Sequence, residues 1–215
     1  SSLQSEGKSI TALNLAISFA EAENRVLLID CDLRRPKLAR LLRKSSRVGL
    51  SNLLLDPSLL NEVVIPSGIE RLDVILSGDI PPNPSELLGS ARMSALLAQL
   101  REKYDYILLD TPPVNMVTDA VVLAPKCDGV LFVVRAGQSE RGPVAHAVGQ
   151  LGYAQAKILG FVLDDVAAAG GKYGRYHYNR YYRYGRYGYY GRGYGYGYGY
   201  GYQSGADAQG GSTRP

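Results

Sequence analysis

The sequence of 215 residues predicts an α/β fold, in which a mostly parallel sheet is flanked by helices and followed by a disordered C-terminal tail. Short apolar runs of strand length alternate with helical stretches as far as Leu163, which is typical of βαβ units. Several of these runs are continuously apolar, as strands buried on both faces are. The alternation stops after Gly170-Gly171, so we predict one domain over residues 1–171 and a tail over residues 172–215.

Each predicted element follows from its local pattern. The stretch from Ser9 to Glu23 contains apolar residues and no proline, so it predicts a helix. Pro36 suits the first position of a second, short helix that extends through Arg43. Val26 begins an apolar run that predicts a buried strand ending at Asp30. We predict further strands at 72–76, 106–109, 130–134 and 158–163, and further helices at 91–103, 118–124 and 140–151.

The tail contains fourteen of the seventeen tyrosines, interleaved with glycine and arginine. Tyrosine alternates with glycine at its end, but ordering so many glycines costs much conformational entropy, so we predict disorder instead of a strand. Residues 1–171 hold 17 Lys and Arg against 19 Asp and Glu, whereas residues 172–215 hold 7 against 1. The net charge of +4 therefore combines a slightly acidic domain with a strongly basic tail.

Composition also excludes some classes of protein. The only cysteines are Cys31 and Cys127, within apolar runs that resemble strands, which argues against a disulfide scaffold and favours a reducing compartment. No apolar run approaches the roughly 18 residues of a membrane-spanning helix. The sequence begins without methionine and almost at a nucleotide-binding loop, so we expect a fragment that lacks its first strand.

The segment Ser5-Glu6-Gly7-Lys8-Ser9 has the ending of a phosphate-binding P-loop. In such a loop, backbone N–H groups surround phosphate oxygens, the lysine neutralises charge and the hydroxyl binds Mg²⁺. Because Ser2 replaces the first glycine of the usual pattern, this segment alone is also compatible with a surface turn that caps a helix.

Acidic residues end two of the predicted strands. Asp30 and Asp32 follow one apolar run and Asp110 follows another. Carboxyl ends of parallel strands face the ligand crevice, where buried carboxylates are costly unless a metal or a proton-transfer role offsets the cost. Capping of the following helix is the alternative for Asp30 and Asp32. We expect Asp30 and Asp32 to lie on the same side of an extended chain.

These motifs together resemble the catalytic domain of the bacterial tyrosine kinases of capsule and exopolysaccharide export, relatives of the deviant P-loop ATPases. The segments that carry the resemblance are SEGKS at 5–9, LLIDCDLRRPKLARLL at 27–42, GLSNLLL at 49–55, LSGDIPPNPSELLGS at 76–90, YDYILLDTPPV at 104–114 and TDAVVLAPKCDGVLFVVRAG at 118–137. The resemblance implies an ATP- and Mg²⁺-dependent protein-tyrosine kinase with a P-loop NTPase-like fold.

The resemblance also implies roles for individual residues. Lys8 would bind the phosphates, and Ser9, Asp32 and Asp110 would hold Mg²⁺ directly or through water. Asp30 would accept the proton of the incoming tyrosine hydroxyl, which has an ordinary pKa of about 10. The nucleotide would contact residues 5–10 of the loop, namely Ser5, Glu6, Gly7, Lys8, Ser9 and Ile10, and Asp164 near the base.

The tail tyrosines would be the phosphoacceptors in this resemblance. They are Tyr173, Tyr176, Tyr178, Tyr181, Tyr182, Tyr184, Tyr187, Tyr189, Tyr190, Tyr194, Tyr196, Tyr198, Tyr200 and Tyr202.

Three positions in the loop depart from the family pattern of PGEGKST, since the chain has Gln4, Ser5 and Ile10 there. Ser5 replaces a glycine, so we expect strain if its backbone needs a positive φ. Asp164 stands where relatives carry an asparagine that contacts adenine. An ionised aspartate accepts but cannot donate, so base selectivity or affinity is expected to differ.

The expected function is autophosphorylation of the tail, which would regulate polymerisation and export of exopolysaccharide or capsule at the cytoplasmic face of the inner membrane. Expected partners are neighbouring subunits of a homo-oligomeric ring, a membrane-spanning co-polymerase or activator, fused or separate, and a cognate tyrosine phosphatase. In this hypothesis the basic tail binds the acidic surface of a neighbour, and about four phosphotyrosines would cancel its charge of roughly +6.

Two alternatives remain open at this stage. The first is a partition-type ATPase switch without kinase activity, which would hydrolyse ATP without the tail. The second is a tail that binds single-stranded nucleic acid or condenses, as arginine-interleaved aromatic repeats do. We regard nucleic acid as the less favoured partner because the P-loop and the three acids supply a chemistry that needs phenolic hydroxyls.

Overall fold

The computed structural model describes residues 1–166 of the chain. Its helices are α1 (Lys8–Glu21), α2 (Leu38–Leu42), α3 (Leu50–Leu55), α4 (Leu60–Val63), α5 (Pro84–Gly89), α6 (Ala91–Arg101), α7 (Asp119–Leu123) and α8 (Arg141–Tyr153). Its strands are β1 (Val26–Asp30), β2 (Val64–Ile69), β3 (Leu72–Ile75), β4 (Tyr106–Asp110), β5 (Val130–Arg135) and β6 (Ile158–Asp164). Short 3₁₀ turns span Pro57–Leu59 and Ala124–Lys126.

The strands form two sheets, one in the order β2-β3-β1-β4 and one that pairs β5 with β6. Strand β1 runs parallel to both β3 and β4, and β5 runs parallel to β6. The predicted α/β fold with a mostly parallel sheet is therefore confirmed. Among the described strands, β4 and β5 lie in separate sheets, so the parallel arrangement is divided at this point.

Strand β2 was not predicted, and it is the antiparallel one. Its sequence, VIPSGI, contains Pro66 and Gly68, two residue types that weaken a strand prediction. The pairing with β3 shifts register between Pro66 and Ile69, and the turn between the strands holds Arg71 at a φ of 62°. Tertiary pairing with β3 thus overrides a weak local signal.

Helices cover both faces of the four-stranded sheet, which explains the continuous apolar run of β1. Leu28 and Val26 pack on one face with Ala16 and Ala20 of α1, while Leu27 and Ile29 pack on the other. All four strand residues are completely buried, and each such aliphatic side chain stabilises the fold by about 1.5–3 kcal/mol. This two-sided burial fixes the carboxyl end of β1 and the acid that ends it.

A third apolar cluster joins the other sheet to α8. It contains Phe132 of β5 together with Ala147 and Leu151 of the helix, all of them buried. Cys127 is half-buried in a turn before β5, so the expectation that it lies in a strand is wrong; the preceding 3₁₀ turn ends there. Cys31 is fully buried in the core, but it follows β1 directly and so also lies outside the strand in which it was expected.

Helix α2 begins at Leu38 instead of at Pro36, since Lys37 has a non-helical backbone with a φ of −127°. Within residues 1–166, no helix combines the length and the apolar character that a bilayer crossing requires.

Candidate nucleotide and metal site

The loop before α1 has the backbone geometry of a phosphate-binding loop. Gly7 lies directly before the helix with a φ of 89°, and a Cβ there would collide with the carboxylate of Asp164. Lys8 and Ser9 form the first turn of the 14-residue helix, whose free N–H groups and dipole favour a phosphate. Ile10 lies in the same turn with an exposed side chain. The loop therefore presents the helix N-terminus as the sequence predicts.

Ser5 adopts a φ of 64°, so the strain expected from replacing glycine at this position is present. Its carbonyl oxygen accepts a hydrogen bond of 3.0 Å from Nη1 of Arg135, at the end of β5. The same guanidinium donates to Oδ2 of Asp165 from Nε at 3.1 Å and from Nη2 at 2.7 Å. Arg135 thus links the loop to the end of β6, a role that no pattern in the sequence indicates.

The carboxylate of Glu6 is almost fully buried and holds the loop through internal hydrogen bonds. It accepts hydrogen bonds from the Leu3 N–H and the Ser2 hydroxyl, both at 2.8 Å, and from the Ser139 hydroxyl. Burial alone would raise its pKa, but the bonds from Ser139, Leu3 and Ser2 hold the pKa below the ordinary value. Glu6 is therefore ionised and stabilises the loop, and its side chain is not available to bind a nucleotide.

Strand register places Asp30 beside Asp110, at the carboxyl ends of β1 and β4. Asp30 is completely buried, and its oxygens accept N–H bonds from Asp32 and Lys37 at 3.2 Å and from Leu38 at 3.0 Å. Burial, followed by the charge of Asp110, raises the pKa of Asp30 to about 7. The capping alternative for Asp30 is thus observed, because its carboxylate binds the start of α2.

The expectation that Asp30 and Asp32 share one side of an extended chain is wrong. The strand ends at Asp30, and the chain turns so that the Asp32 N–H points back to the Asp30 carboxylate. Asp32 is half-buried, and its Oδ1 accepts the Arg35 N–H at 2.9 Å. Asp30 is therefore closed off from solvent, whereas Asp32 is partly exposed.

Asp110 carries the one buried side-chain oxygen without a hydrogen-bond partner within residues 1–166, its Oδ2. Burial raises its pKa to about 6, although the nearby Ser9 hydroxyl and the charge of Lys8 lower it. Burial likewise lowers the pKa of Lys8, against the charge of Asp110. A buried carboxylate oxygen without a partner, beside a hydroxyl and near Asp32, is a suitable ligand for a hard cation, directly or through water.

The residues present therefore fit Mg²⁺, with Ser9, Asp32 and Asp110 as the candidate ligands. In the described part of the chain, no three or more His, Cys, Asp or Glu side chains gather into a metal cage. An ion here would thus complete its coordination with phosphate oxygens and waters, as Mg²⁺ at nucleotide sites commonly does.

A salt bridge secures the loop that carries Asp32. Arg34 donates to the fully buried carboxylate of Asp119, from Nε at 3.0 Å and from Nη2 at 3.2 Å. Ser85, at the start of α5, donates to the same carboxylate. Asp119 was not predicted as a site residue, since a single acid at a helix start gives no signal in the sequence.

The remaining predicted site residues have different outcomes. Asp164 ends β6 and lies against Gly7 of the loop, so it lines the same site. The fourteen tyrosines and the boundary at residues 171 and 172 lie outside the described residues and stay predictions.

Comparison with known proteins gives the family. Residues 5–142 match the family described as "AAA domain". The tyrosine-protein kinase YwqD of Bacillus subtilis is 41% identical over 159 residues, which cover 74% of this chain and 67% of that protein. The tyrosine-protein kinase CpsD of Streptococcus agalactiae is 36% identical over 174 residues, covering 80% of this chain and 76% of the relative.

Solved structures agree with these relatives. The chimerical protein CapA2B2 superposes with a TM-score of 0.73 at 38% identity, covering 75% of this chain and 72% of that chain. The kinase domain of the Escherichia coli tyrosine kinase ETK has a TM-score of 0.73 at 36% identity, and the match covers 75% of this chain and 64% of that chain. The septum site-determining protein MinD of Pyrococcus horikoshii, at 21% identity and a TM-score of 0.62, shares the fold.

The predicted family and enzyme class are thereby confirmed. The chain belongs to the family of the bacterial tyrosine-protein kinases, enzymes built on the P-loop ATPase fold.

Proposed function

We propose that this protein is an autokinase that transfers the γ-phosphoryl group of ATP to tyrosines of its own tail. The observation that carries the proposal is the convergence of Lys8, Ser9 and the unpartnered Oδ2 of Asp110 at the phosphate loop. The chain supplies acceptors in abundance, since fourteen tyrosines lie between residues 173 and 202. As a flexible coil, those thirty residues would span roughly 30 Å, enough to reach an active site.

In the proposed reaction the phenolic oxygen forms a bond to the γ-phosphorus, the bond to the ADP oxygen breaks, and the phenolic proton passes to a carboxylate. Mg²⁺, when bound, would neutralise charge on the phosphates. Lys8 binds phosphate oxygens, and the loop N–H groups hold them in line. MinD of P. horikoshii was solved with Mg-ADP, which supports this choice of nucleotide and metal.

Asp30 is the proposed proton acceptor, with a pKa of about 7 that suits transfer near neutral pH. Its burial means that the turn from Cys31 to Lys37 must open for the tyrosine to enter. Phosphoryl transfer otherwise asks the protein chiefly for positioning and charge neutralisation.

We further propose that the kinase acts in exopolysaccharide or capsule export, at the cytoplasmic face of the membrane, with a membrane-spanning partner, neighbouring subunits and a phosphatase. The family supports this proposal. The matched region covers 81% of this chain but only 24% of the Ralstonia solanacearum protein EpsB, so some relatives carry much more chain beside the kinase region.

The decisive experiment is mass spectrometry of the tail after expression of the full chain in a host without another tyrosine kinase. We expect phosphotyrosine in the wild type and none in Lys8→Ala, because the phosphates lose their charged ligand. Lys103→Ala, which removes an exposed lysine far along the sequence, is the matched control and should leave phosphorylation unchanged. Persistent phosphotyrosine in Lys8→Ala would contradict the proposal, and ATP hydrolysis without phosphotyrosine would favour a partition-type switch.

A further inference from the structure

Residues 34–47 carry a concentration of positive charge, of which only the first part, Arg34 and Arg35, contacts the nucleotide site. This basic strip contains seven Lys and Arg residues and no acid, while the rest of residues 1–171 holds ten against nineteen acids. The domain is thus slightly acidic on average but strongly basic in one place. Such a separation of charge along the chain favours an anionic partner for this segment.

The central cations of the basic strip are available to a partner. Arg40, Arg43 and Arg47 are exposed, and none of them takes part in an ion pair within residues 1–166. The chain reverses at the end of α2, where Arg43 has a φ of 52° and the Lys44 N–H donates to the Ala39 carbonyl at 2.9 Å. Arg40 thus lies in the last turn of α2, Arg43 caps that helix, and Arg47 follows four residues later.

The basic strip begins at the active site itself. The Arg35 N–H donates to Asp32, and the Arg35 guanidinium donates to Oε1 of Gln4 in the phosphate loop at 3.2 Å. Arg40 and the residues after it continue from there through α2. A chain that presents one tyrosine to the site therefore brings its neighbouring tyrosines towards the basic strip.

We propose that the basic strip binds phosphotyrosines of the tail, so that segments already phosphorylated are held beside the active site. This inference rests on the proposed autokinase function. The unmodified tail, with 7 basic residues against 1 acid, is repelled by the basic strip. Each phosphate adds about −1.5 to −2 charge, and arginine binds phosphate oxygens in a bidentate manner. The basic strip therefore distinguishes the product tail from the substrate tail.

The test measures binding of two synthetic peptides of residues 187–202 to the full-length protein, treated with a tyrosine phosphatase and free of nucleotide. One peptide is unmodified, and the other carries phosphate on Tyr194, Tyr196, Tyr198 and Tyr200. We expect the phosphorylated peptide to bind at least tenfold more tightly than the unmodified peptide in fluorescence anisotropy. Arg43→Gln/Arg47→Gln should weaken that binding at least tenfold, and its affinity should fall steeply with added salt.

Lys103→Gln/Lys157→Gln is the control, because it removes the same charge from exposed positions elsewhere and should change the affinity less than twofold. Equal binding of the phosphopeptide to both double variants would overturn the proposal. Loss of binding to anionic lipid vesicles in the Arg43/Arg47 variant, with phosphopeptide binding intact, would also overturn it and assign the basic strip to a lipid surface. Because the phosphates are introduced by synthesis, either result is independent of whether the chain phosphorylates itself.

Discussion

Ser5 shows how a single side chain can strain a functional loop. A left-handed backbone costs a non-glycine residue roughly 1–2 kcal/mol, and Ser5 adopts one at a φ of 64°. Its carbonyl receives the Arg135 guanidinium at 3.0 Å, a contact across 130 residues of sequence. Arg135 thus offsets part of the cost of the left-handed backbone at this serine.

A double-mutant cycle tests this relation. Arg135→Ala should weaken ATP binding by about three- to tenfold, since a charged hydrogen bond is worth roughly 1.5–3 kcal/mol and part of it is replaced by water. In the Ser5→Gly background the loss should be smaller, because the loop no longer needs a restraint. Titration with a fluorescent nucleotide measures both effects, and strictly additive losses would show that the two residues act independently.

Asp30 combines a structural contact with a proposed chemical role, and the two make different predictions. Asp30→Asn keeps an acceptor for the start of α2 but cannot take a proton. We expect kcat to fall roughly 100-fold or more, with nucleotide affinity nearly unchanged. The wild-type rate should rise as pH passes through about 7, where Asp30 ionises. An unchanged kcat in the variant would restrict Asp30 to capping the helix.

Strand pairing decides which charges meet at the site. The parallel register of β1 and β4 sets Asp30 directly beside Asp110, so two buried acids share one place. Their pKa values are raised to about 7 and about 6, chiefly by burial. An acid whose pKa is raised in the folded state destabilises the fold when it ionises. The free energy of unfolding is therefore highest below the pKa of the unfolded state and declines as pH rises towards 6–7.

Asp110→Asn should therefore raise the free energy of unfolding at pH 8 by about 1–3 kcal/mol, since one pKa unit corresponds to about 1.4 kcal/mol. The gain should disappear below about pH 4, where the wild-type acid is protonated in both states. Urea unfolding at several pH values measures this trend. Asp105→Asn is the opposite control: Arg25 lowers the pKa of Asp105 to about 2, so its loss should destabilise the fold at neutral pH. A destabilised Asp110→Asn protein at pH 8 would contradict the argument.

The whole molecule divides its tasks between two parts: the candidate site lies in the folded domain, and the proposed acceptor tyrosines lie in the tail. The apolar clusters and the phosphate loop all lie within residues 1–166, while fourteen tyrosines follow them. A segment of Tyr, Gly and Arg has no aliphatic side chains with which to build a core. The tail should then contribute substrate and charge, and little stability.

Deletion of residues 172–215 should leave the melting temperature and the nucleotide affinity nearly unchanged and abolish self-phosphorylation. Calorimetry, nucleotide titration and phosphotyrosine detection measure the three properties. Addition of the unmodified peptide of residues 187–202 should restore phosphotyrosine, on the peptide. A large loss of thermal stability on deletion would show that the tail packs on the domain.

Much of the fold and part of the site could be predicted from the sequence. The continuous apolar run before Asp30 predicted a strand buried on both faces, and Gly7-Lys8-Ser9 predicted a phosphate loop at a helix start. The missed strand β2 contains Pro66 and Gly68, and it forms only because β3 lies beside it. Arg135 and Asp119 were also missed, because their partners lie far away in the chain.

Most strands and helices, the available chemistry and the family could be inferred from the sequence, because burial and turn preferences are local and leave patterns along the chain. The arrangement of that chemistry followed only from the folded structure. In the fold, Glu6 points inward and accepts hydrogen bonds within the loop, and Asp30 is buried against the start of α2. One oxygen of Asp110 has no hydrogen-bond partner. Hydrogen bonds and pKa values depend on neighbours brought together by folding, and spacing in a sequence does not record them.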